Sequence, residues 1–168
     1  MCFEKYYLFI LLICIYIQSI FGNDRIVTIG GSVTEIVYAL DYGDKIIATD
    51  LSSTIPNDAT KLPQVGYVRS ITTEGILSMM PSLILATSDI GPPNVLNQLR
   101  EVGIRLKIFD SPKNYNDVIN LVDLIARELR LQDSGKELID SLAEKQVLIK
   151  NKISGINYVP RIAFFMDA

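Results

Sequence analysis

The chain has 168 residues, with 16 Lys and Arg against 19 Asp and Glu, a net charge of −3, two Cys and no His. That charge gives no basic footprint for nucleic acid. The absence of His removes a Ser-His-Asp triad, a His-based zinc site and an imidazole haem ligand, so any chemistry falls to Tyr, Arg, Asp, Glu, Ser or Met.

Tyr6 to Ile17 form an unbroken apolar run, shorter than the roughly 20 residues of a membrane-spanning helix. Lys5 precedes it, Gln18 and Ser19 close it, and Gly22 supplies a small residue for cleavage. Residues 1–22 therefore read as a secretory signal peptide, with an uncleaved anchor as the alternative. Ile13 stands where a lipoprotein needs a small residue, which argues against lipidation of Cys14. Cleavage after Gly22 removes Cys2 and Cys14 together, so thiolate, disulfide and Cys-metal chemistry leave with the leader.

Ile26 to Ile29 predict a strand, Gly30-Gly31 a tight turn, and Ser32-Val33-Thr34-Glu35 a helix opened by a Ser32/Glu35 capping box and closed near Gly43. Further strands are predicted at Lys45 to Thr49, Leu83 to Ala86 and Leu106 to Phe109. Thr73 to Met80 read as a short helix stopped by Pro81, and Asn94 to Val102 as another ending at Gly103. Strands alternating with helices imply a Rossmann-like α/β lobe over residues 23–133, a parallel sheet with helices on both faces. Tyr115 to Leu129 and Gly135 to Ile153 are then two successive helices without a strand between them. A second capping box, Ser134 with Glu137, is expected at the start of a long strut over 134–154, with Leu138, Ile139, Leu142, Val147, Leu148 and Ile149 available for burial. Val159 to Met166 read as a strand that opens a second lobe from residue 155 onward, or else as a fifth strand of the first sheet.

Two irregular stretches, Asp50 to Ile71 and Thr87 to Pro93, are the expected ligand loops. In the first, an extended Gly66-Tyr67-Val68-Arg69 would put Tyr67 and Arg69 on one side. A neighbouring guanidinium and a ferric ion both favour the phenolate, and tyrosinate is an established haem ligand. The bland alternative is a surface contact. Gly30-Gly31 fail the dinucleotide pattern, because Ser32 and Glu35 stand where glycine is required. Free N–H groups there suit an anionic ligand group, so Gly30, Gly31 and Ser32, with Ser88 in the second loop, are candidate ligand contacts. Glu74 sits in the first turn of its helix, where a carboxylate favours the macrodipole. Met79-Met80 are candidate thioether ligands but also ordinary filler. An enzyme built on Arg69, Glu74 or Asp89 lacks paired carboxylates or a nucleophile-base arrangement, so no enzymatic activity is expected.

The segments IGGSVTEIVYAL (29–40), LPQVGYVR (62–69), TEGIL (73–77) and PSLIL (81–85) together resemble periplasmic haem-binding proteins of ABC importers, within the cobalamin, siderophore and haem superfamily. The VGYxR segment carries the haem part of the resemblance; the remaining motifs are shared with cobalamin and siderophore carriers. The resemblance implies that Tyr67 is the axial ligand of ferric haem and that Arg69 supports the phenolate or a propionate. Glu74 is implied to dock on an arginine of the permease, paired with a glutamate of a second lobe. Haem is thus the expected ligand, with an ABC importer permease and its ATPase as partners, an outer-membrane haem receptor as upstream donor, and the periplasm as location. Family members continue through another lobe, to which 134–154 would be the connector, so this chain reads as an N-terminal lobe with the second lobe missing. A cobalamin or ferric-siderophore carrier and a nonfunctional fragment are the alternatives. Carriers of free zinc or manganese, which present several His ligands, do not fit.

Overall fold

A computed structural model describes residues 24–155 together with 161 and 163. Four short strands form a parallel sheet in the order β2-β1-β3-β4: β1 (Ile26–Ile29), β2 (Ile46–Thr49), β3 (Leu83–Thr87) and β4 (Arg105–Phe109). Between and after them lie α1 (Gly31–Ala39), α2 (Thr73–Leu77), α3 (Pro93–Glu101), α4 (Tyr115–Leu129) and α5 (Gln132–Ile153). The register is fixed by apolar pairs such as Ile26 opposite Leu83 and Val27 opposite Ile84.

Both faces of the sheet are covered because alternate strand residues point to opposite sides. Ile26, Leu83 and Leu85 join Val33, Ile36 and Val37 of α1 and Leu121, Val122 and Ile125 of α4 in one core cluster. Val27, Ile29, Ile84 and Ala86 pack on the other side against Ile76 of α2, Val95 and Leu99 of α3, and Val65, Val68 and Ile71 of the long loop. The β1 strand is buried at every position, as expected of a strand enclosed on both faces. The β4 strand is more exposed, and its edge carries Arg105 and Lys107, which pair with Glu128 of α4 at 2.8 and 3.1 Å. Burial pushes the Glu128 carboxyl up, but hydrogen bonds and charge from Arg105 and Lys107 outweigh it and hold the group below its usual value.

The predicted capping boxes do not form. The Gly30 residue, not Ser32, is the N-cap of α1; no side chain caps it, and Ser32 lies inside the first turn with Glu35 exposed. Three residues earlier than Gly135, α5 starts at Gln132, again without a side-chain cap. Arg130 turns the chain in the left-handed region at φ 61°, and the Leu131 N–H closes α4 by donating to the Ala126 carbonyl at 2.7 Å. The backbone reversal thereby replaces the side-chain cap. Gly135 serves close approach: a Cβ there would lie 2.5 Å from the Ala126 Cβ.

At 1.5 Å per residue, α5 runs for about 33 Å. Only its first half is covered: Leu138, Ile139 and Leu142 pack on the α1/α4 core, whereas Val147, Leu148 and Ile149 are 55–61% exposed. The expected burial of those three residues does not occur among the described residues. Helix α2 ends at Leu77, and Met80 adopts φ 49° while Arg25 donates to the Met79 and Met80 carbonyls at 2.7 and 2.9 Å. Met79 packs into the core and Met80 is exposed, so the two thioethers play separate parts. No described helix is long and apolar enough to cross a membrane. The predicted signal peptide lies outside the described residues, as does the 159–166 strand apart from Arg161 and Ala163.

Candidate ligand-binding site

Parallel strands deliver their following loops to one end of the sheet, the usual ligand end of such folds. After β1 comes Gly30 at φ 103°, a conformation that an L side chain rarely adopts. Its N–H donates to Asp50 Oδ1 at 2.8 Å, and its carbonyl accepts from Val33 and Thr34, which starts α1. Asp50, the first residue after β2, is fully buried. Besides Gly30, its carboxylate accepts from the Ser53 hydroxyl at 2.7 Å and from the N–H and hydroxyl of Ser52 at 2.9 and 2.5 Å. The Ser53 hydroxyl also lies 2.7 Å from Thr34 Oγ1, which donates to Thr28 Oγ1 at 2.8 Å. This buried polar chain ties β1, α1 and the β2 loop together beneath the mouth.

The long loop is built onto the edge of β2. The Thr49 N–H donates to the Pro63 carbonyl, Val65 donates back to Thr49, and Leu51 donates to Gly66, all within 3.0 Å. Tyr67 follows, but the segment is not extended there: the Ser70 N–H donates to the Tyr67 carbonyl at 2.8 Å, closing a turn over Tyr67 to Ser70. The expected alternation of Tyr67 and Arg69 along an extended segment is therefore replaced by two exposed turn residues flanking a buried Val68. The reason lies in the second loop, whose Gly91 donates to the Val68 carbonyl at 2.9 Å and accepts from Ile71 at 3.1 Å. Satisfying those backbone groups bends the chain. Both predicted ligand loops thus form one unit. Tyr67 is 48% exposed. The ion pairs among the described residues use Lys45, Lys61, Arg105, Lys107 and Arg127, which leaves the Arg69 guanidinium without a carboxylate partner there.

A cleft of about 260 Å³ opens beside this unit, lined by Gly30, Gly31, Ser32, Ser52, Val68 and Thr87 among others. The three candidate residues of the first turn are thus brought together; Tyr67 and Arg69 flank the lining residue Val68. Ser88 lines an adjoining cleft of about 530 Å³ with Asp110 and Lys113. Its N–H donates to the Phe109 carbonyl at 2.7 Å and its hydroxyl accepts from the Ser111 N–H at 3.2 Å. Asp89 and Ser111 belong to both clefts, and the Ser111 hydroxyl donates to Asp89. Glu74 sits exposed in the first turn of α2, whose N-cap Thr72 accepts from the Gly75 N–H at 3.1 Å. No group of three or more Cys, Asp or Glu among the described residues is arranged to hold a metal ion. Asp50, Ser53 and Thr87 fall inside the two expected ligand loops without standing out as individual contacts, and Thr34 falls in the predicted first helix. A signal for Asp50 exists, since Asp at a strand end followed by Leu-Ser-Ser has the chemistry of an Asx turn.

Comparison with known proteins places this architecture. The periplasmic heme-binding protein RhuT from Roseiflexus sp. RS-1, in apo form, superposes with a TM-score of 0.79 at 32% identity, over 83% of this chain and 53% of that one. A periplasmic heme-binding protein from Pseudomonas aeruginosa superposes with a TM-score of 0.75 at 27% identity, over 78% of this chain and 47% of that one. A vitamin B12-binding protein of Yersinia pestis (strain Pestoides F) is 31% identical over 118 residues, 70% of this chain and 42% of the relative. The chain spans about half the length of the relatives it matches, and its sheet and helices correspond to the N-terminal lobe of their fold. A family profile described as periplasmic binding protein matches residues 26–167. This chain belongs to the periplasmic binding protein family.

Proposed function

We propose that this protein captures ferric haem in the periplasm, with Tyr67 as the axial ligand, and delivers it to an inner-membrane ABC importer. The observation that carries the reading is a half-exposed tyrosine on a turn at the ligand end of the sheet, two residues from an arginine with no carboxylate partner among the described residues. A ferric ion is a hard acid that favours the phenolate, and Arg69, with no carboxylate partner among the described residues, supplies a cation for a haem propionate. Ligation is reversible and involves no turnover. In this reading an outer-membrane haem receptor supplies the ligand, residues 1–22 direct export, residues 23–133 form the ligand-binding lobe, and 134–154 connect it to further chain.

The deciding experiment is an absorbance titration of ferric haem into the purified protein. Saturable binding with a tyrosinate-type high-spin spectrum is expected. A cobalamin reading draws on the vitamin B12-binding relative; saturation by cobalamin together with indifference to haem would establish it instead, and a ferric-siderophore titration covers the third ligand class. Arg69→Ala is expected to weaken haem binding several-fold while preserving the high-spin spectrum, because it removes a supporting charge and leaves the ligand atom in place. Loss of that spectrum would show that Arg69 acts on the iron site more directly.

Glu74 is the proposed docking contact for a permease arginine. The corresponding substitution in a two-lobed relative should leave the haem titration unchanged and reduce transfer to the reconstituted importer about tenfold, as expected for one exposed charge pair made only in the complex. Equal transfer rates would remove Glu74 from the docking surface.

A further inference from the structure

The cleft beside the first turn is too small to enclose a tetrapyrrole. Its volume of about 260 Å³ falls below the roughly 300–1,000 Å³ of pockets that bury small ligands. A macrocycle whose iron is held at Tyr67 therefore lies mainly outside the cleft, on the rim around the phenol. What that rim exposes decides which ring it accepts.

Leu51 stands beside Tyr67 on the rim. The Thr49 N–H donates to the Pro63 carbonyl, and Thr49 pairs in parallel with the residue after that carbonyl, Gln64. In the same pattern the Leu51 N–H donates to the Gly66 carbonyl at 2.9 Å, which sets Leu51 alongside the residue after it, Tyr67. The extra residue that this register needs in the long loop is absorbed at Gly66, whose φ is 116°. Ser52 and Val68 line the cleft, whereas the residues just before them, Leu51 and Tyr67, stand outside its lining. Both are about half exposed, at 51% and 48%. A single leucine in water needs no explanation, but an exposed leucine and tyrosine side by side, bordered by the polar groups of a cleft, form the kind of patch that marks a ligand groove. Asp50, directly before Leu51, is buried and held by Gly30, Ser52 and Ser53, so the leucine rests on a fixed base and costs little ordering on binding.

We propose that Leu51 packs against the face of the ligand's macrocycle beside Tyr67 and so selects a flat apolar ring over a hydrophilic iron chelate, an inference that rests on the haem reading above. A phenolate approaches the iron from one face of the ring, and a side chain next to Tyr67 meets that same face. The two residues then act on different parts of one ligand: Tyr67 on the metal, Leu51 on the carbon framework.

The test compares ferric haem, followed by absorbance, with metal-free protoporphyrin IX, followed by fluorescence, since a porphyrin without iron gains nothing from the phenolate. Leu51→Gln is expected to weaken both about fivefold, the effect of losing the burial of half a leucine side chain, while leaving the high-spin spectrum of bound haem unchanged. Leu51→Met should restore both affinities, because it keeps the apolar contact. Tyr67→Phe should weaken ferric haem alone. Val102→Gln, which removes an exposed apolar side chain at the foot of β4, should change neither. No loss with Leu51→Gln, a loss confined to ferric haem, an equal loss with Val102→Gln, or failure of the unsubstituted protein to bind the metal-free ring would each overturn the role of Leu51 and leave Tyr67 ligation standing. Failure of the unsubstituted protein to bind ferric haem saturably would overturn the haem reading and the ring contact together.

Discussion

Tyr67→Phe is expected to abolish the tyrosinate charge-transfer bands of the haem complex and to lower affinity by at least about 100-fold, since even partners outside the metal's own ligand set cost 10–100-fold when removed. The substitution removes a single oxygen. Because Tyr67 is 48% exposed and its turn is held by backbone hydrogen bonds from Ser70 and Gly91, the fold should barely respond, with stability within about 0.5 kcal/mol of the parent. Parallel measurement of the haem spectrum and the thermal midpoint therefore separates ligation from structure. An unchanged spectrum would remove Tyr67 as the ligand; a fallen midpoint would mean that the phenol does structural work in the turn.

The division between what the residues announce and what they conceal follows the range of the forces involved. Helix α4 occupies Tyr115–Leu129 as its periodicity predicts, and β1 occupies Ile26–Ile29, because burial pattern and propensity act along a few consecutive residues. The parallel sheet and the two-sided core follow from the alternation of strands and helices. Capping departs from the sequence pattern for a different reason. Ser32/Glu35 and Ser134/Glu137 have the right spacing, but Gly30 is engaged by Asp50 from twenty residues away, and the turn before α5 is closed by Leu131 on Ala126. At α1 a long-range partner overrides the local cap; before α5 a backbone closure five residues long replaces it.

The site shows the same split. Tyr67 and Arg69 stand out as residue types, yet their turn depends on Gly91, which lies in a different loop, so spacing along the chain predicted an extended segment. Likewise Gly30, Gly31 and Ser32 are visible as a turn between strand and helix, while Thr87 comes against Gly30 only because β3 pairs with β1. Asp50 reads locally as a loop acid. Its role emerges from being enclosed by donors contributed by two loops.

That enclosure makes Asp50→Ala the substitution with the largest expected cost to the fold. In the native protein the carboxylate serves donors on both the β1 and β2 loops, and its removal strands the buried Gly30 N–H, whereas the Ser53 hydroxyl turns to Thr34 Oγ1, 2.7 Å away. Each unsatisfied buried donor costs about 1–3 kcal/mol. Ser52 is exposed, so water replaces the acceptor for its N–H and hydroxyl at little cost. The expected loss is about 2 kcal/mol, with a fall in thermal midpoint of about 7 °C for a protein of this size. Asp50→Asn retains shape and one acceptor oxygen but presents an NH₂ group to donors, so it should recover only part of the loss. Ser52→Ala should cost less than about 1 kcal/mol. Thermal unfolding followed by circular dichroism distinguishes these cases: a steep order of Asp50→Ala, Asp50→Asn and Ser52→Ala is expected if the buried carboxylate holds the mouth in shape. An Asp50→Ala midpoint close to that of Ser52→Ala would mean that the Gly30 N–H finds another acceptor, and that α1 is positioned by its apolar face alone.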